Sequence, residues 1–169
     1  LAGKFQRDSP AASDDHLHAT GREPERRFGA GLHAIGHGHR RHYCPTSGIY
    51  LRYSDRITDV LSREMSRHAN VVGWQIDNEL GPESGWCHCE SCQSGFREWL
   101  RGRYGSVGEL NRRWGTGFWG MDYSDFGQVL LGGRGTEAAS RNLDTARFRS
   151  HSFVEFARRQ AAIIRRNHP

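Results

Sequence analysis

One run of residues in this sequence has the makings of a buried β-strand, and it constrains the fold more than any other feature. Val71-Val72-Gly73-Trp74-Gln75-Ile76 is short and rich in β-branched and aromatic side chains, and it is closed by polar Asp77-Asn78-Glu79 and then by Gly81-Pro82. A strand this apolar does not stand unpaired in water, because its backbone groups and both of its faces need neighbours. The remainder of the chain offers helices instead. No internal repeat supplies the missing partners, so a solenoid is not the explanation. The expectation is an α/β fold to which this stretch contributes only a part.

The helical segments follow from spacing. Over Leu51 to His68, Ile57, Val60, Leu61 and Met65 recur at helical intervals with charges between them, and Asn70 supplies a stop. Phe96, Trp99, Leu100 and Tyr104 mark a second helix, with Gly105 at its C-terminal end. Ser106 and Glu109 form a capping box for a short third helix containing Leu110 and Trp114. Gly115 to Gly135 holds Trp119, Tyr123 and Phe126 between glycines without a period, which predicts a long ordered loop. From Ser150 or Ser152 a last helix runs through Phe153, Phe156, Ala157, Ala161 and Ile164, with Arg165 and Arg166 where cations suit the helix dipole. Residues 1 to 37 carry few large apolar side chains and no period, and read as loop or disorder.

Only 36% of the 169 residues are hydrophobic and 25% are charged, lean for a self-sufficient core. No window approaches the roughly eighteen uninterrupted apolar residues of a membrane span, so no membrane association is expected. The chain begins at Leu1 and its first residues lack the order of a signal peptide, so no export signal is expected. The formal net charge is +5, and of the 24 basic residues only Lys4 is lysine. The arginines lie among acids, Arg56 near Asp55 and Asp59 and Arg97 beside Glu98, rather than along one stripe, which argues against a nucleic-acid partner. Cys87-x-Cys89-x-x-Cys92 is too tight for easy disulfide pairing and reads as thiolate ligands in a reducing compartment. Glu79 stands out as a carboxylate delivered at the end of a buried strand, the way barrels present catalytic acids.

Gly73-Trp74-Gln75-Ile76-Asp77-Asn78-Glu79 resembles the acid/base strand of the family 42 glycoside hydrolases, bacterial β-galactosidases of a retaining clan built on (β/α)8 barrels. The likeness continues through Arg40-Arg41-His42-Tyr43-Cys44, through Cys87-His88-Cys89-Glu90-Ser91-Cys92 with Phe96-Arg97-Glu98-Trp99-Leu100, and through Leu110-Asn111-x-x-Trp114-Gly115-Thr116-x-Phe118-Trp119. It implies two regions: 1–37, poorly matched, and 38–169, a fragment of the catalytic domain. The implied fold class is α/β, a partial (β/α)8 TIM barrel with a zinc-binding loop insertion, running from about the loop after the third strand to the helical segment before the fifth.

The resemblance implies hydrolysis of terminal β-D-galactosides with retention of configuration. Glu79 would be the general acid that protonates the glycosidic oxygen and then the base that activates water. Asn78 would bind the sugar 2-hydroxyl and Arg40 the galactose subsite, with Arg41 as rival. Retention needs a nucleophilic carboxylate about 5 to 5.5 Å from the acid. In the family it lies far downstream, outside this chain. Asp77 is excluded as a substitute because, on a strand, it points to the face opposite Asn78. Cys44, Cys87, Cys89 and Cys92 match four cysteines that hold structural zinc in a subset of the family. His88 is a bystander on this reading, and a second metal site among His33, His37, His39 and His42 is disfavoured. Trp119 matches a residue near a trimer contact, so the full-length enzyme is expected to be a homotrimer; the thiolate cluster and the missing export signal point to the cytoplasm. The contrasting readings are a zinc-ribbon-like nucleic-acid-binding module, disfavoured because ribbons use two separated Cys-x-x-Cys pairs, and a related glycosidase acting on another sugar.

Overall fold

A computed structural model of the chain describes residues 43–81, 86–132 and 138–169. Helix α1 spans Gly48–Met65 and starts where Ser47 can cap it, the Ser47 hydroxyl accepting from the Tyr50 amide at 3.3 Å. Helix α2, Glu90–Tyr104, ends at Gly105 with φ 71°, a conformation that costs glycine little. Helix α3, Val107–Trp114, follows at once. Its capping box is half made. Ser106 accepts from the Glu109 amide at 3.2 Å, but the Glu109 carboxylate turns to Arg112 and Arg113, at 2.7 and 2.8 Å.

Two 3-10 turns, Thr116–Trp119 and Phe126–Gln128, punctuate the loop that was expected after α3. This loop is ordered by its polar contacts. Asn111 clamps Tyr123 from both sides, donating to its carbonyl at 2.8 Å and accepting from its amide at 3.0 Å. Further on, Arg97 donates to the Val129 carbonyl and Gln93 accepts from the Leu131 amide, which draws Val129 and Leu131 into the core beside α2. That core holds Phe96, Leu100, Leu110, Phe126 and Phe148 together with Cys44 and Cys92.

Helix α4 runs Ala139–Asn167, starting well before the predicted Ser150. The cause is Asp144. Its carboxylate is buried and receives hydrogen bonds from Tyr104, from Trp114 Nε1 at 3.0 Å and from Arg147 at 2.9 Å, so a charged residue anchors the first half of the helix where an apolar one was sought. Helices α1 and α4 meet along a polar seam. Asp55 accepts from Gln160 and pairs with Arg159, while Asp59 accepts from Arg166 and Asn167, and Asn167 also donates to Ser62. The apolar stripe of α1, Ile57, Val60 and Leu61, faces outward.

The strand expected over Val71 to Ile76 does not form. Val72 is 98% exposed, and Trp74 turns to His168, its Nε1 donating to Nδ1 at 3.0 Å. No strand occurs anywhere among the described residues, whose elements are four helices and two 3-10 turns. The α/β assignment, and with it the partial (β/α)8 TIM barrel carrying a zinc-binding loop insertion, is therefore corrected to an all-helical arrangement. A β-branched run gains its preference for the extended state from neighbours that pair with it, and here there are none. No described helix is long and apolar enough to cross a membrane.

Candidate metal centre

Two segments far apart in sequence build the site. Tyr43-Cys44-Pro45-Thr46 enters α1 through a turn in which the Ser47 amide donates to the Cys44 carbonyl at 3.1 Å, and this buries Cys44 completely. Cys87 and Cys89 precede α2, and Cys92 lies in its first turn. With Cys89 at the N-cap, Cys89 and Cys92 are three residues apart and share one side of the helix. The four Sγ atoms lie within 4.8 Å of one another. Cys44 stands 3.4 Å from Cys92 and 3.7 Å from Cys89, and none of the four is in a disulfide.

A tetrahedral ion with four metal–sulfur bonds of about 2.3 Å requires sulfurs about 3.8 Å apart, so this cluster has the dimensions of a tetrathiolate cage. The set is soft and its four positions are all protein ligands, which suits a closed structural site. The titration of the sulfurs is shared. Cys87 is held well below the ordinary thiol range and Cys89 below it, in both cases chiefly through the hydrogen bond from the Cys44 thiol. Cys44 is raised by its hydrogen bonds to Cys87 and then Cys89, and Cys92 by its hydrogen bonds to Cys44, Cys87 and Cys89. The Thr46 hydroxyl lies 3.1 Å from both the Cys44 and the Cys92 sulfur.

Three side chains surround the sulfurs. Arg149 of α4 lies over the Trp86 ring, 4.7 Å from its centroid, and its Nη2 is 2.9 Å from His88 Nε2. Guanidinium has donors only, so His88 Nε2 accepts there, and His88 is not among the four clustered ligand residues. A cavity of about 20 Å³ beside Cys87, Cys92, Trp86, Phe148 and Arg149 has room for about one water.

The acid-bearing segment is tied to this centre by Tyr43, the neighbour of Cys44. Tyr43 Oη donates to Asp77 Oδ2 at 2.5 Å, and the other Asp77 oxygen accepts from the Asn78 amide at 2.7 Å. Tyr43 in turn stacks on Tyr50, with ring centroids 4.8 Å apart, and burial pushes the Tyr50 phenol up to about 12. Glu79 follows, exposed, with φ 55°. Since 71–77 is not a strand, the alternation that excluded Asp77 no longer applies; Asp77 is instead occupied by Tyr43. Asn78 is exposed and accepts from Gln75 at 3.4 Å.

Arg40, Arg41, His33, His37, His39 and His42 lie outside the described residues. Trp119 is 72% exposed, with its ring edge-on to that of Phe118. The spacing of Cys87, Cys89 and Cys92 marked three corners of the cage in the sequence, and the family resemblance supplied Cys44. Tyr43 and Arg149 were missed: Tyr43 is signalled only by its place next to Cys44, and nothing local connects Arg149 with residues some sixty positions earlier.

The fold and site define a helical unit organised around a four-cysteine, metal-ready cluster. Residues 25–169 match the glycoside hydrolase family 42, described as beta-galactosidase, and the chain belongs to that family. It is 40% identical over 136 residues to beta-galactosidase Bga of Halorubrum lacusprofundi, covering 79% of this chain and 19% of that protein. Against BgaH of Haloferax lucentense the identity is 42% over 132 residues, 76% of this chain and 20% of that protein. The solved beta-galactosidase of Halorubrum lacusprofundi superposes with a TM-score of 0.81 at 33% identity, covering 96% of this chain and 24% of that one. The cold-adapted enzyme of Rahnella sp. R3 gives 0.80 at 27%, covering 96% and 23%. The chain thus spans about a fifth of the length of the curated relatives it matches. The internal piece of a barrel domain that the resemblance implied is not what the described residues form, since they contain no strand.

Proposed function

We propose that this chain is part of a β-galactosidase that hydrolyses terminal β-D-galactosides with retention, residues 38–169 belonging to its catalytic domain. Glu79 is the general acid and then the general base, Asn78 binds the sugar 2-hydroxyl, Arg40 belongs to the galactose subsite, and the nucleophile lies in another part of the longer protein. Cys44, Cys87, Cys89 and Cys92 hold a structural zinc, which supplies no chemistry to the substrate because all four of its positions are filled by thiolates. The full-length protein is a cytoplasmic homotrimer on this reading, in keeping with the reduced cysteines and the exposed Phe118 and Trp119.

The observation that carries the reading, beyond family membership, is the tether from the cysteine cage to the acid: Tyr43, adjoining Cys44, holds Asp77 two residues before Glu79. Glu79 itself has φ 55°, a backbone state that glutamate rarely occupies and that clusters at functional sites. The tether holds the chain two residues before Glu79, and Glu79 itself is solvent-exposed, which supports the reading.

The test is Glu79→Gln in the chain restored to the length of its relatives. This exchange keeps the shape and removes the transferable proton. Substrates with poor leaving groups are expected to lose about 10²- to 10⁴-fold in rate, and activated aryl galactosides much less in the first step. An equal and small loss on both substrates would assign the acid elsewhere.

A further inference from the structure

We infer that Arg149 is the counter-charge of the cysteine cage, a positioning residue that sets how tightly the four thiolates hold a divalent cation. This rests on the metal reading above but not on the galactosidase reading.

Four thiolates around a divalent ion carry a net charge of −2, and such a charge in a half-buried site is costly unless something opposite lies close by. Helix α4 brings a guanidinium to the site. Arg149 borders the same small cavity as Cys87 and Cys92; burial lowers its guanidinium to about 10, and the charges on Cys92 and Cys87 oppose that shift. Among the described residues it pairs with no carboxylate. Its remaining contacts are the Trp86 ring and Nε2 of His88, and its Nε is shielded from water with no hydrogen-bond partner among the described residues.

A guanidinium left that way is expensive in isolation. It becomes favourable opposite a doubly negative centre. Trp86 and His88 flank Cys87 in sequence and hold the guanidinium beside it, and Arg149 brings a charge from α4 to sulfurs supplied by the starts of α1 and α2. Ordinary outer-shell partners of metal ligands are worth about 10- to 100-fold in affinity.

The experiment compares Arg149→Gln, close in size but uncharged, with Arg149→Lys, which keeps the charge, in the 169-residue chain. Zinc affinity is read by competition with a chromophoric chelator, and the reactivity of the metal-loaded cysteines by their rate of alkylation. Arg149→Gln is expected to bind zinc about 10- to 100-fold more weakly, and its loaded thiolates, no longer facing a cation, to be alkylated faster. Arg149→Lys should stay within about threefold of the parent on both counts, since it keeps the point charge while losing the planar fork. If Arg149→Gln does not fold without metal, the zinc concentration needed to refold each variant reports the same ratio. Equal losses in Gln and Lys would mean that shape and not charge is at work, and would overturn the inference, as would parent-like affinity and alkylation in Arg149→Gln.

Discussion

At the scale of single residues, Asp144 shows how much one charged side chain decides. Burial alone would raise its carboxyl, but the hydrogen bonds from Tyr104, Arg147 and Trp114 and the charge of Arg103 outweigh it and hold the group below its ordinary value. A depressed folded pKa means that the contribution to stability is complete above the unfolded carboxylate's value, near 3.9, and is lost as the pH falls below it. Asp144→Asn is therefore expected to cost about 1 to 3 kcal/mol at neutral pH, through imperfectly satisfied buried donors, and much less in acid. Urea titrations of both proteins at pH 7 and pH 3 check this. A constant difference across that range would show that the charge of Asp144 is not the stabilising feature.

At the scale of elements, α2 is the organising helix, because it carries Cys92 on one side and receives the incoming loop on the other. Gln93 is its key polar residue: buried, it accepts from the Leu131 amide at 2.9 Å and so ends the loop in the core. Gln93→Leu would leave that amide orphaned and should cost about 1 to 3 kcal/mol, with faster hydrogen exchange at Val129 and Leu131 as the local sign; unchanged exchange there would contradict it. The helices themselves were readable where apolar spacing and caps coincide, as at Ser106 and Gly105. The start of α4 was not, since its anchor is an aspartate whose partners, Tyr104 and Trp114, come from two other elements. Val71 to Ile76 was misread for a related reason: a short β-branched run states a preference for being covered, and the covering is a property of the rest of the fold. In the site, ligand spacing showed Cys87, Cys89 and Cys92 and the family resemblance added Cys44, whereas Arg149 and Tyr43 act across elements and leave no periodic trace.

For the molecule as a whole, the cage closes a long loop. Cys44 and Cys89 are 45 positions apart, so a metal that links them restricts the unfolded chain much as a disulfide would, by about 4 kcal/mol on the loop-entropy relation. The chain is expected to purify with about one zinc per molecule, and its removal by a strong chelator should lower the melting temperature by well over ten degrees. Metal analysis and calorimetry before and after chelation make the check. A Cys44→Ser/Cys89→Ser double variant that keeps its zinc would sink the assignment. Binding must also displace the protons held on Cys44 and Cys92, so metal is expected to be released as the pH is lowered.

Glu79 sits with φ 55°, where glycine or asparagine would be at ease and glutamate is not. If persistence of the fold were the sole criterion in a mutagenised population, this codon would drift toward those two residues within a few rounds. If Glu79 has the acid/base role proposed for it, a screen scored on sugar release by the full-length protein would hold it at glutamate. The position thereby separates two pressures that coincide over most of a protein, and the ratio of glycine to glutamate recovered under each regime would measure how far the site departs from what the backbone alone prefers.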